Sequence, residues 1–248
     1  MASDLPLAQR PAPATMPARM PALLSFLAGY VDSCTFLALF GLFVAQVTGS
    51  FVLAGTLFVT HQHGAVIKIL AIPVFFLAGV ATTVIVRRVA RGRSALPVTL
   101  GLEAALLAGF FACWLRGGPF TDPDAPAAAL ASLLGLSAMG VQSALVRLLG
   151  YPSTNVMTTN TTQLAIDAAE LTMAWQARRR SPADATIAAE YAGMKDRLAV
   201  LGPIVLGFLA GTIAGAVAYV GLDLWCMLVA IALALGLAAW TSRAQPYW

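Results

Sequence analysis

The first group able to do chemistry is Asp32, which closes the run Gly29-Tyr30-Val31-Asp32 inside a long apolar stretch. An ionised aspartate near the middle of a membrane helix costs about 2.5–3.5 kcal/mol on insertion scales. Asp32 is therefore expected either to face a partner or a water-filled path, or to stay neutral and fix helix packing by hydrogen bonds. Two other segments gather hydroxyls and amides: Gln46 with Thr48, Gly49 and Ser50, and later Asn155, Thr158, Asn160, Thr161, Thr162 and Gln163. Hydroxyls and freed backbone groups at such places could coordinate an ion or a polar solute. Close packing of small residues is the competing account of the Thr48-Gly49-Ser50 cluster. The second cluster is too rich in donors and acceptors to face lipid, and must face protein or water.

Gln142 and Arg147 lie on the apolar run before that second cluster. Arg147 either snorkels to an interface or pairs with Asp32 or Asp167. Glu103 is either a second buried carboxylate or an interfacial one. His61 and His63 have no acidic or cysteine partner nearby, so neither a metal nor a cofactor is expected. Cys34, Cys113 and Cys226 all fall in apolar segments without paired spacing and read as packing residues. There is no H-E-x-x-H, no G-x-S-x-G and no pair of adjacent catalytic carboxylates. An enzyme is not expected, and an intramembrane one would need folding to bring Asp32 and Asp167 together.

The elements that must position these groups are membrane helices. Hydrophobic residues make up 59% of the 248-residue chain and charged residues 10%, and mean hydropathy is +0.81. Soluble domains carry about 25% charged residues, so a bilayer must solvate the outer faces. The formal charge of +4 sits in short clusters between apolar runs, which are topology signals rather than a nucleic-acid face. Residues 1–21, rich in proline, are expected to form a disordered tail. The membrane domain then spans 22–241.

Runs beginning at Leu23 and at about 66–86, 98–116, 127–149, 198–220 and 223–241 each approach the ~20 residues that cross hydrocarbon. Two stretches, about 41–62 and 150–175, are helical in length but polar at their centres. The expected fold is an all-α polytopic bundle of six full spans plus two broken or re-entrant segments, with eight spans as the alternative. With six spans, every Lys and Arg except Lys68 and Arg116 falls on the side of the chain ends, which puts both termini in the cytoplasm of a cell with an inner membrane.

The two halves, about 22–116 and 127–241, repeat one pattern. Gly29-Tyr30-Val31-Asp32, Val47-Thr48-Gly49-Ser50, Pro73 and Leu77-Ala78-Gly79 are answered by Gly140-Val141-Gln142-Ser143, Met157-Thr158-Thr159-Asn160, Pro203 and Leu209-Ala210-Gly211. Three full spans per half would orient the halves oppositely, the arrangement of many secondary transporters. The glycines Gly207, Gly211 and Gly215 mark a tight helix contact, within the bundle or between protomers of a homo-oligomer.

The motifs Gly29-Tyr30-Val31-Asp32 with Phe36, Gly41-Leu42-Phe43-Val44, Thr48-Gly49-Ser50, and Met139-Gly140-Val141-Gln142-Ser143-Ala144 with Arg147 resemble the YoaK family of bacterial multi-pass membrane proteins, from about Leu23 to Trp240. The resemblance implies a Thr-Gly-Asn in each half, of which each copy here keeps part; it implies no particular substrate. The leading expectation is a transporter or facilitator of a small polar or ionic solute. Its binding residues would be Asp32, Thr48, Gly49, Ser50, Gln142, Asn155, Thr158, Asn160, Thr162 and Gln163. A non-transporting scaffold and an intramembrane enzyme are the other two readings.

Overall fold

The computed structural model describes residues 19–60, 65–89, 95–181 and 184–243. Most of the tail, the His61 and His63 pair, and Arg91 and Arg93 lie outside the described residues. Within them the chain is all-helical: α1 (Met20–Ala38), α2 (Val47–Thr60), α3 (Ala65–Val89), α4 (Ala95–Gly117), α5 (Pro126–Leu148), α6 (Met157–Arg180), α7 (Ala185–Leu222) and α8 (Met227–Arg243), with a 3₁₀ turn at Asp223–Cys226 between the last two.

Side-chain register fixes the direction of each helix. Gly207, Gly211 and Gly215 lie against the carbonyls of Ala22, Phe26 and Tyr30, so α1 and α7 run parallel. Gly140 meets Phe75 and Ala78, and Gly79 meets Ala144, which makes α3 and α5 parallel as well. The α4–α5 hairpin is antiparallel, with Gly109 beside Leu134 and Gly117 beside Ala127. Trp114 packs on Trp225 near one end of α4, and Leu100 shares a cluster with Leu237 near the other, so α4 and α8 are antiparallel. Finally, Gln142 of α5 reaches Leu24 of α1, while Gly135 meets Val44, whose amide is held at Asp32. These contacts set α1 and α5 antiparallel.

Six helices therefore traverse the bundle, α1, α4 and α7 in one sense and α3, α5 and α8 in the other. Five helical stretches are long and apolar enough to cross a membrane, the fifth being Ala185–Arg243, which turns back at the 3₁₀ turn and so makes two passes. Met20 and Arg243 end up on the same face, called here the terminal face. In the two spans at the centre, α1 and α5, 67% and 61% of the residues are buried, against 17% in α3. The outer sides of α3 and α7 present Phe76, Leu77, Leu206, Ile213 and Val217, which suit lipid.

The halves are related as inverted copies. The mapping of α1, α2, α3 and α4 onto α5, α6, α7 and α8 exchanges the α1–α7 contact with the α3–α5 contact and keeps α4 against α8. Through the first two elements the offset is 110 residues. Helix α1 ends with Gly41 N–H bonded to Phe36 C=O, and α5 with Tyr151 N–H bonded to Val146 C=O. Both are Schellman turns that need a left-handed residue, supplied by Phe40 (φ 54°) and Gly150 (φ 78°). This offset aligns Asp32 with Gln142, one position away from the sequence alignment that set it opposite Ser143.

The α1–α7 contact is tight because the glycines of α7 let backbone approach backbone. A Cβ at Gly211 would overlap the Phe26 carbonyl oxygen, whereas one at Gly221 in the same helix meets nothing within 4 Å. This places the glycine stripe inside the bundle. Gly211→Ala is expected to cost about 1–3 kcal/mol, read as a lower unfolding midpoint in detergent. Gly221→Ala should leave that midpoint unchanged or higher.

Candidate substrate-binding site

Both Schellman turns send the chain back into the bundle. After α1 the segment 39–46 returns to the level of Asp32, roughly 18 Å along the helix from Met20 at 1.5 Å per residue. That is about halfway through a hydrocarbon core of ~30 Å. Helix α2 starts there and leads to α3 on the far face. After α5 the segment 149–156 returns to the level of Gln142, and α6 runs from there toward the terminal face. The described part of segment 41–62, up to Thr60, and segment 150–175 are thus each a return loop followed by a helix that starts inside the bundle.

Non-helical backbone at this depth needs partners other than water. Asp32, buried to 2% exposure, supplies them for the first loop. Its Oδ1 accepts the Val44 and Ala45 amides at 2.8 and 2.9 Å, and its Oδ2 accepts Gln46 Nε2 at 2.9 Å. The carboxylate is held by three donors. The second loop uses neutral groups at corresponding positions: Gln142 Nε2 donates to Thr154 Oγ1 and to the Leu24 carbonyl, both at 2.9 Å. Ser25 Oγ of α1 donates to the Thr154 carbonyl at 2.9 Å.

Asn155 joins the two loops. Its Nδ2 donates to the Ala45 carbonyl at 2.8 Å and also to Ser143 Oγ, while its Oδ1 accepts from Ser153 Oγ. Asn160 Nδ2 donates to the Ser153 carbonyl at 2.6 Å, which ties the first turn of α6 to its own loop. The residue matching Asn160 in the first half is Ser50. Its shorter side chain makes no such bond, and its buried Oγ has no partner among the described residues.

Around this junction lies a cavity of about 520 Å³, lined from both halves by Gln46 and Thr48, by Ser143 and Arg147, and by Asn155, Thr158, Asn160 and Gln163, with Phe75 and Leu201 among its apolar walls. Of the residues expected to bind a solute, Thr48, Asn155, Thr158, Asn160 and Gln163 line it. Asp32 instead lines a smaller neighbouring cavity of about 180 Å³ with Gln46, which borders both. Gly49, Ser50, Gln142 and Thr162 do not line the larger cavity; the Thr162 hydroxyl donates to the Thr158 carbonyl. Neither Gly49 nor Thr159 has a positive φ, so replacing that glycine in the second half costs no backbone geometry.

Arg147 pairs with neither Asp32 nor Asp167. Asp32 is engaged by its loop, and Asp167 is bonded by Arg197 at 3.1 Å, which also reaches Glu170 at 3.3 Å. Glu103 is fully buried in α4, with neither carboxylate oxygen hydrogen-bonded among the described residues, which settles its position against the interfacial alternative. Cys34 and Cys226 are buried side by side, with sulfurs 3.3 Å apart. Among the described residues, no three His, Cys, Asp or Glu side chains gather as metal ligands would.

Sequence reasoning did not single out Phe75 or Leu201, since an apolar residue facing a cavity looks no different from one facing lipid or core. Ser153 gave only a polar letter in a loop.

This geometry defines a class: a helical membrane protein of two inverted halves, with two re-entrant elements meeting at its centre. Residues 20–240 match the family model DUF1275, described as "Protein of unknown function", and the chain belongs to that family. No curated protein and no solved structure matches it.

Truncating Asp32 leaves the buried amides of Val44 and Ala45 and the half-buried amide of Gln46 without an acceptor. At about 1–3 kcal/mol for each stranded group, Asp32→Ala is expected to cost roughly 3 kcal/mol or more of stability. Asn155→Ala should cost less, because the groups it leaves unpaired are one carbonyl and two hydroxyls. Thermal unfolding of both variants in the same detergent checks the order.

Proposed function

We propose that the protein is a secondary transporter or facilitator for a small polar or ionic solute, with the solute held where the two re-entrant elements meet. The observation that carries this reading is the 520 Å³ cavity lined from both inverted halves. Discontinuous helices meeting near mid-membrane at a repeat interface are where such transporters bind their substrates. In this reading Thr48, Asn155, Thr158, Asn160 and Gln163 contact the solute. Asp32 and Gln142 are positioning residues that hold the loops presenting those groups, and Gly49, Ser50 and Thr162 stay outside the solute's contacts.

The same reading places the terminal face in the cytoplasm. Arg87, Arg88, Arg178, Arg179, Arg180 and Arg243 lie toward that face, whereas Lys68 and Arg116 stand near the opposite ends of α3 and α4. That asymmetry is the one the positive-inside rule describes. The partners are then the lipid bilayer and the solute, no covalent chemistry is assigned, and the YoaK-like motifs fit a bacterial inner membrane.

The test is solute exchange across proteoliposomes containing the full chain, with neutral, cationic and anionic solutes labelled in turn. The expected result is exchange of one class that falls at least about ten-fold in Thr158→Trp, whose indole would fill the cavity, while the unfolding midpoint is kept. Exchange of no class, or full exchange through Thr158→Trp, would sink this reading and favour a scaffold.

A further inference from the structure

The charges around the central cavity are unbalanced. Among the described residues, Arg147, the penultimate residue of α5, is the one formally charged side chain lining it, and no Asp or Glu borders it. Arg147 has no ion pair or hydrogen bond among the described residues. The carboxylates it was expected to meet are occupied, Asp32 by the amides of its own loop and Asp167 by Arg197. Arg147 is exposed at the terminal-face end of α5, where its guanidinium is open to an anion entering the cavity from that side.

The backbone around the cavity reinforces the same sign. Helices α2 and α6 both begin at its wall, with Val47, Thr48, Met157, Thr158 and Thr159 lining it. Initial N–H groups of a helix have no intrahelical acceptor and carry the positive end of its dipole. The side-chain amides supply further donors, while Phe75, Val156, Met157 and Leu201 offer apolar wall.

We propose that the cavity binds a small organic monoanion: a carboxylate that pairs with Arg147 near the first turns of α2 and α6, with a short apolar body against Phe75 and Leu201. The inference deepens the transporter reading and rests on it for the role of the cavity. One positive charge fits one negative charge, and the planar guanidinium matches a carboxylate in two-point hydrogen bonding. The same chemistry could come from an anionic lipid headgroup reaching Arg147 from the terminal face, so the test separates the two sources.

The test uses the purified full chain in a neutral detergent, and follows the unfolding midpoint as benzoate, benzamide or benzylamine is titrated in. A ligand that binds only the folded state raises that midpoint. Benzoate is expected to stabilise the wild type, with no comparable effect from the neutral or cationic isostere. Arg147→Gln should weaken benzoate binding about ten- to a hundred-fold, the range for losing a charge-assisted hydrogen bond. Arg147→Lys should retain part of it, and Arg116→Gln, on another helix and outside the cavity, should change nothing. Phosphatidylglycerol micelles are titrated in parallel. Stabilisation by that lipid through Arg147 without any benzoate effect assigns the arginine to a headgroup and overturns the proposal. Preference for benzamide or benzylamine, or indifference of benzoate binding to Arg147→Gln, overturns it as well. The transporter reading is judged separately: exchange of a neutral or cationic solute would keep it while the anion site falls, and Arg147-dependent benzoate binding without exchange of any solute would do the reverse.

Discussion

A break in helical structure halfway through a membrane bundle exposes backbone N–H and C=O groups where water cannot satisfy them, and each group left bare costs several kcal/mol. This chain makes two such breaks and meets the cost with side chains from its two central helices and from the second loop itself. Asp32 takes the amides of Val44 and Ala45, Gln142 and Ser25 hold Thr154, and Asn155 spans from one loop to the carbonyl of Ala45 in the other. The rest of the architecture serves this junction: α1 and α5 must be central because they carry the clasps, and the outer helices shield them from lipid.

The inverted repeat explains why the junction has two matched sides, and its imperfections show where the halves have specialised. A carboxylate at Asp32 faces an amide at Gln142, and Ser50 faces Asn160. The first loop is therefore held by a charge and the second by neutral groups, with Asn160 anchoring α6 more firmly than Ser50 can anchor α2. The second half also lengthens: α6 and α7 extend past the bundle, and Arg197 ties them by bonding Asp167 and Glu170. Such an extension is polar, and α2 and α3 have no counterpart to it among the described residues.

Much of the fold was legible in the chain because its signals are local. The length and apolarity of a span, the polar centres of 41–62 and 150–175, and the repeated small-residue motifs are all properties of short stretches. The preference for six spans with two re-entrant elements came from the charges of loops, which follow insertion physics rather than packing. Register was less accessible. The one-residue difference that sets Asp32 opposite Gln142 depends on matching turns at Phe40 and Gly150, and a run of small and apolar letters does not display it. Phe75 and Leu201 were illegible for the same reason, since cavity-facing and lipid-facing apolar residues share one composition.

What the sequence determined by itself is that the chain belongs in a bilayer as helices, in two related halves, with polar matter in two places that could not face lipid. That follows from transfer energies, which act residue by residue. Which polar groups are structural and which are available to a ligand was decided only by tertiary contacts. Asp32 and Arg147 are both charged letters in apolar runs; the fold surrounds Asp32 with three donors from its own loop and leaves Arg147 beside a cavity without a partner among the described residues. The difference lies in where the chain returns after α1 and α5, a long-range arrangement that no short stretch of residues encodes.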